Sequence, residues 1–101
     1  MFKKFITYNL AKELYGICKN LKMPMHLKDQ LMRASSSVVL NLAEGSGKET
    51  RKDKRKFFVI SFGSLREVSS ILDLAEVKNP KTLELLDKTS AHLYKLIQYH
   101  K

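Results

Sequence analysis

Leu42-Ala43-Glu44-Gly45-Ser46-Gly47-Lys48-Glu49-Thr50-Arg51-Lys52-Asp53 is the stretch on which the fold turns. Gly45-Ser46-Gly47 follows the last of a periodic apolar series, where a left-handed glycine commonly caps a helix. Thr50-Arg51-Lys52-Asp53 then carries the hydroxyl-x-x-carboxylate pattern of a capping box, in which side chains satisfy the orphan amides of a new helix. A stop and a start this close predict a helical hairpin turning near residues 47–49. Before the turn, Leu27, Leu31, Ala34, Val38 and Leu42 share one helical face, giving a helix from about Met25 to Glu44. After it, Phe57, Phe58, Phe62, Leu65, Val68, Ile71, Leu72 and Ala75 give a helix reaching about Val77.

Working outward, Leu10, Leu14, Ile17 and Leu21 predict a helix from about Phe5 to Leu21, ended where Met23 precedes Pro24. Asn79-Pro80 reads as an N-cap followed by proline in the first helical position. The last helix, to about Tyr99, carries Leu83, Leu86, Ser90, Leu93 and Ile97 in a three-four seam. No segment alternates with a period of two, so strands are not expected. The 101 residues are expected to form one domain. Short connections force neighbouring helices antiparallel, predicting an all-α, up-down-up-down four-helix bundle.

Two details follow from that geometry. Antiparallel partners across the central turn have numbers summing to about 96, which sets Ala34 and Ser35 against Phe62-Gly63-Ser64. Gly63 in mid-helix costs about 1 kcal/mol relative to alanine, so small residues on both sides predict a close backbone approach there. The apolar arc of the third helix spans about 180°, where a bundle helix needs about 100°. Val59, Ile60 and Leu74 lie outside even that arc. The surplus predicts self-association, unless a loop or Phe2 and Phe5 cover it.

Lys48 through Lys56 hold six cations and two anions at the start of a helix. The partial positive charge of a helix N-terminus disfavours cations, so a role beyond stability is expected. With 19 Lys+Arg against 10 Asp+Glu, a net charge of +9, nucleic acid is the first candidate partner. Lys48, Arg51, Lys52, Lys54, Arg55 and Lys56 are the candidate phosphate contacts. The plainer reading is a solvated, soluble surface. The single cysteine, Cys18, fits a reducing compartment and a buried apolar role. No apolar run approaches the ~18 residues of a membrane helix. Met1-Phe2-Lys3-Lys4-Phe5-Ile6 starts basic but breaks at Tyr8-Asn9, without the apolar core of a signal peptide. A cytoplasmic protein is expected.

Little argues for catalysis. His26, His92 and His100 are far apart, none with a second ligand at metal spacing. Ser35-Ser36-Ser37 lacks the strand-turn-helix elbow of a nucleophile. Gly45-Ser46-Gly47-Lys48-Glu49-Thr50 lacks the phosphate-loop pattern and follows a helix. Neither metal nor cofactor is expected, and the chain is read as a non-enzyme. Glu44 opposite Lys52, and Arg33 near Glu67, are candidate structural ion pairs that would specify register.

Leu27-Lys28-Asp29-Gln30-Leu31-Met32-Arg33-Ala34-Ser35-Ser36-Ser37-Val38-Val39-Leu40-Asn41-Leu42-Ala43-Glu44-Gly45, with Phe57-Phe58 and Phe62-Gly63-Ser64-Leu65-Arg66-Glu67, resembles the 23S ribosomal RNA intervening-sequence protein family. Gln30, Arg33, Ala34, Ser37, Asn41, Ala43, Glu44, Gly45, Gly63, Ser64 and Glu67 match its pattern residue by residue, and Asn41 thereby joins the structural polar set. The chain departs from the pattern in lacking the first-helix tryptophan many members carry; Tyr8 sits nearby. The resemblance implies a four-helix bundle assembled as a homopentameric ring. The architecture is also similar to the accessory variability determinant of diversity-generating retroelements, a basic pentamer that binds nucleic acid and a reverse transcriptase. The function expected is a homo-oligomeric bundle binding RNA or DNA with low sequence specificity, RNA being slightly preferred on the resemblance. The rival is an interaction scaffold docking a protein such as a reverse transcriptase. Membrane-surface binding is disfavoured, because the cations cluster at a helix start instead of along one face.

Overall fold

A computed structural model describes residues 5–101. It holds four helices: α1 Ile6–Asn20, α2 Met25–Ser46, α3 Arg51–Leu74 and α4 Pro80–Tyr99. No strand occurs among the described residues. Phe2, offered by the sequence as a cover for α3, lies outside them, as do Lys3 and Lys4.

The helix ends follow local chemistry, with two corrections. Leu21 turns extended ahead of Pro24 and ends α1. Asn79 Oδ1 accepts from the Thr82 amide at 3.1 Å, with Pro80 in the first position of α4. Thr50 Oγ1 accepts from the Asp53 amide at 3.1 Å, forming the Thr50 half of the capping box. The first correction concerns α2, which runs through Gly45 to Ser46. No glycine has a positive φ, so no left-handed glycine cap forms. Gly45 is needed for close packing and not for a cap: a Cβ there would lie 2.7 Å from Phe58 Cε1 and 3.1 Å from Phe57 Cβ. The second concerns α3, which stops at Leu74. Glu76 adopts φ 58°, the Glu76 amide donates to Asp73 O, and the Val77 amide donates to Leu72 O, each at 3.0 Å. That bond pair is a Schellman motif, built here without the usual glycine.

The molecule measures 40 × 23 × 22 Å. Its length suits a 24-residue helix at about 1.5 Å per residue, and its cross-section suits two helices of about 10 Å side by side. α1 packs on α2 and α4, and α3 packs on α2 and α4. Phe58 near the start of α3 meets Phe5 before α1 and His100 after α4. At the opposite end Lys28 of α2 reaches the carbonyl of Cys18 near the end of α1. Consecutive helices therefore run in opposite senses around the core.

Leu27, Leu31, Ala34, Val38 and Leu42 are all buried on α2, as their spacing predicts. The other faces are rotated from expectation by small polar residues. α1 buries Thr7, Ala11 and Cys18 with Leu10 and Leu14, while Ile17 and Leu21 are half-buried. On α4, Leu83 and Ser90 sit at the rim, and Thr82, Leu85 and Thr89 go in beside Leu86, Leu93 and Ile97. On α3, Ser61 is buried and Phe57 and Phe62 are half-buried. Two of these hydroxyls find a backbone carbonyl within reach: Thr89 donates to Leu85 O at 2.7 Å and Ser61 to Val38 O at 2.8 Å.

The register between α2 and α3 is also corrected. Ser37 Oγ meets Ser64 Oγ at 2.8 Å and Ser61 bonds Val38, about one turn along from the pairing the turn position predicts. Ala34 and Ser35 are buried as predicted, but not against Gly63. Gly63 is exposed, and a Cβ built on it meets nothing within 4 Å. The close approach belongs to Gly45 instead. On the outside of α3, Val59, Ile60 and Leu74 remain 44%, 43% and 68% exposed. Phe5 packs on Phe58, which is already inside.

Candidate nucleic-acid interface

The hairpin turn, the start of α3 and the end of α4 meet at one end of the bundle, and the cationic run lies there. Its position changes the meaning of its charge. The start of α3 adjoins the C-termini of α2 and α4, whose partial negative charge favours cations. Lys54 Nζ donates to Ser46 O, in the last residue of α2, at 3.0 Å. Arg51 Nη2 donates to Tyr99 O, in the last residue of α4. Lys48 pairs with Glu44 at 3.1 Å and sits 5.0 Å from the Phe57 ring centroid. Three of the six cations therefore serve the fold, which corrects the view that the run opposes it.

The other three differ. Lys52 and Lys56 are exposed, one turn apart on the same face of α3. Lys56 Nζ lies 6.0 Å from the Phe57 centroid, at the outer limit of a cation–π contact. Arg55 is half-buried, and its Nε is buried without a hydrogen-bond partner. The free cationic surface is thus narrower than the sequence suggests, centred on the exposed Lys52 and Lys56.

The structural polar candidates resolve separately. Glu44 pairs with Lys48 on its own helical turn and not with Lys52. Arg33 and Glu67 are both exposed and form no ion pair with each other. Asn41 is half-buried, its amide donating to Ser37 O at 2.9 Å and to Ser37 Oγ at 3.1 Å. Because Ser37 also meets Ser64, Asn41, Ser37 and Ser64 form one polar chain across the α2–α3 seam. That chain, with Ser61, holds the register assigned by the sequence to ion pairs.

The histidines do not converge. The Nδ1 of His92 lies 3.0 Å from Lys88 O and that of His100 2.8 Å from Leu96 O, each on its own helix. His100 packs edge-on against Phe58 with centroids 5.2 Å apart. Burial pushes the Cys18 thiol up to about 11, against a smaller downward pull from Lys28, so at neutral pH it is a thiol and a poor nucleophile. No three His, Cys, Asp or Glu side chains among the described residues are placed to share a metal ion. No helix of the described residues is long and apolar enough to cross a membrane. An apolar groove of about 400 Å³ runs between α1 and α2, lined by Tyr8, Lys12, Tyr15, Ser36, Val39 and Leu40.

One residue of the basic end escaped the sequence reading. Tyr99 stacks on the Arg51 guanidinium, 4.8 Å from its ring centroid, and is 68% exposed. The signal lay in the second hairpin: numbering outward from the turn near residue 77 puts the end of α4 opposite the start of α3.

Comparison with known proteins agrees with the architecture. No curated protein matches the chain. The family model described as 23S rRNA-intervening sequence protein matches residues 6–99. That span runs from the first residue of α1 to the last of α4, and with the whole bundle inside it the chain belongs to the 23S rRNA-intervening sequence protein family.

Proposed function

We propose that this protein is a non-enzymatic bundle whose basic end holds a nucleic acid through its phosphates, with little sequence preference. The observation that carries the reading is the pair Lys52 and Lys56. Both are exposed on one face of α3, and the only ion pair among the described residues is Lys48–Glu44. Exposed cations engaged in no ion pair are available to an external anion, and an excess of +9 draws polyanions from a distance. Phosphate contacts of this kind position a strand without reading its bases. The family's description favours RNA over DNA.

Self-association belongs to the same proposal. Val59 and Ile60 on α3 and Leu40 on α2 present large apolar side chains to water, and a second copy is the most available cover. A ring, pentameric on the resemblance, would repeat the basic end and raise affinity by avidity without new contacts. The rival is a protein scaffold, for which the α1–α2 groove with its 66% exposed Leu40 offers an apolar seat.

Fluorescence anisotropy with labelled 20-nucleotide RNA and DNA, at low and high salt, tests the reading. Binding should weaken steeply with salt, because phosphate neutralisation releases counterions. The double variant Lys52→Glu/Lys56→Glu should lose most of it while keeping its helical circular dichroism. No retention of RNA or DNA at low salt would remove the proposal. A stoichiometric protein captured without nucleic acid would favour the scaffold.

A further inference from the structure

Phosphate binding leaves Tyr99 without a purpose. A tyrosine ring on the last turn of a helix would ordinarily lie down on apolar neighbours. Here one side of it faces the Arg51 guanidinium at 4.8 Å. His100 meets it edge-on, centroids 5.0 Å apart and planes at 80°. Arg51 also donates to the Tyr99 carbonyl, which ties the start of α3 to the end of α4 at this point. With those contacts made, Tyr99 is still 68% exposed, so the face turned away from Arg51 is open to solvent. Lys52 follows Arg51 directly, and the exposed Lys95 lies one turn before Tyr99 on α4.

We infer that the open face of Tyr99 is a stacking site for an unpaired nucleobase, so that the basic end takes single-stranded RNA or DNA in preference to duplex. The inference rests on the nucleic-acid reading above and adds the form of the ligand. Every base has a π-face, so an exposed ring beside phosphate-binding cations serves any sequence. The arginine behind the ring holds it upright. In a duplex both faces of each internal base are already stacked on neighbours, and Tyr99 can meet only a terminal pair. A single strand turns its bases out, and the exposed Lys52, next to Arg51, and Lys95, one turn before Tyr99, are available to its phosphates.

The test compares four labelled probes by anisotropy at one salt concentration: a 20-nucleotide oligouridine, the corresponding oligothymidine, an abasic strand of equal length, and a 20-base-pair duplex. The native protein should bind the two base-bearing strands more tightly than the abasic strand or the duplex. Tyr99→Ala and Tyr99→Leu should weaken oligouridine by about tenfold and leave the abasic strand unchanged. Tyr99→Phe, which keeps the ring, should retain affinity. Lys52→Glu/Lys56→Glu should weaken all four probes alike. The chain has no tryptophan, so its emission is that of tyrosine, and oligouridine should quench a component that Tyr99→Phe lacks. Equal losses for oligouridine and the abasic strand in Tyr99→Ala, or a loss in Tyr99→Phe as large as in Tyr99→Ala, would overturn the stacking site and leave the phosphate reading standing. Failure of the native protein to bind any of the four would overturn both.

Discussion

Replacing Gly63 by alanine adds a methyl group where the structure has room for one. The position is exposed in the middle of α3 and a Cβ meets nothing within 4 Å. The change should therefore return the helix-propensity difference, about 1 kcal/mol, and raise the melting temperature by about 4–8 °C for a domain near this size. Gly45→Ala places the same group 2.7 Å from Phe58 Cε1, 2.9 Å from Phe58 Cδ1 and 3.1 Å from Phe57 Cβ. The Phe58 ring is buried between Phe5 and His100, at 6.3 and 5.2 Å, and Phe57 Cβ is fixed to the backbone. Overpacking costs about 1–3 kcal/mol, and the propensity gain is small in the last turn of α2. A net loss of about 1–2 kcal/mol follows. The two glycine-to-alanine changes thus have opposite signs. Urea unfolding followed by far-ultraviolet circular dichroism, at several protein concentrations, measures both. Loss of stability in Gly63→Ala at every concentration, or a gain in Gly45→Ala, would refute the register and the site of closest approach given above.

Three further outcomes are expected. Glu76→Gly relieves a left-handed backbone that costs a side-chain-bearing residue about 1–2 kcal/mol, less what glycine adds to the unfolded entropy, so a gain of about 0.5–1 kcal/mol should appear in the urea midpoint. Lys28→Met removes the donor to the carbonyls of Cys18, Lys19 and Leu21 and should cost about 1–2 kcal/mol by thermal unfolding. Cys18 should resist iodoacetamide at pH 8 until denaturant is added. Its thiol titrates at about 11 in the fold and near 8.5 when unfolded. Its contribution is therefore fully present below the lower value and lost as pH rises through the upper one. The alkaline fall of the urea midpoint should be shallower in Cys18→Ala.

Helix number, order and most boundaries were legible because they rest on local chemistry: proline after Met23, the Thr50 cap, Asn79-Pro80. The spacing on α2 read correctly because Leu27, Leu31, Ala34, Val38 and Leu42 all point inward, with only Ser35 and Gly45 added to them. On α1, α3 and α4 the inward set includes Thr7, Ser61, Thr82 and Thr89, which a hydrophobic pattern assigns to the surface. Only Ser61 reaches across to another helix, and the Val38 carbonyl it bonds has no signature in its own sequence. The third helix was read too long because nothing in Ala75-Glu76-Val77 announces a left-handed glutamate. The basic run was visible at once, but its division into cations that cap neighbouring helices and cations that face water depends on Ser46 and Tyr99, one nearby in sequence and one brought from the far end of the chain.

That division carries a consequence for how the chain assembles from its disordered state. The last carbonyls of α1 are tied by Lys28 of α2, those of α2 by Lys54 of α3, and the end of α4 by Arg51 of α3. Of the four helices α3 closes its own end, through the Glu76 and Val77 amides; the other three take a donor from a neighbour. A cut in the Gly47–Thr50 turn would part α2 from the lysine at its end, while Arg51 stays with α4; each half would also lose its packing on the other, and both should be mostly coil apart yet regain helix when mixed. Synthesis from the N-terminus would then yield little lasting order until α3 has emerged.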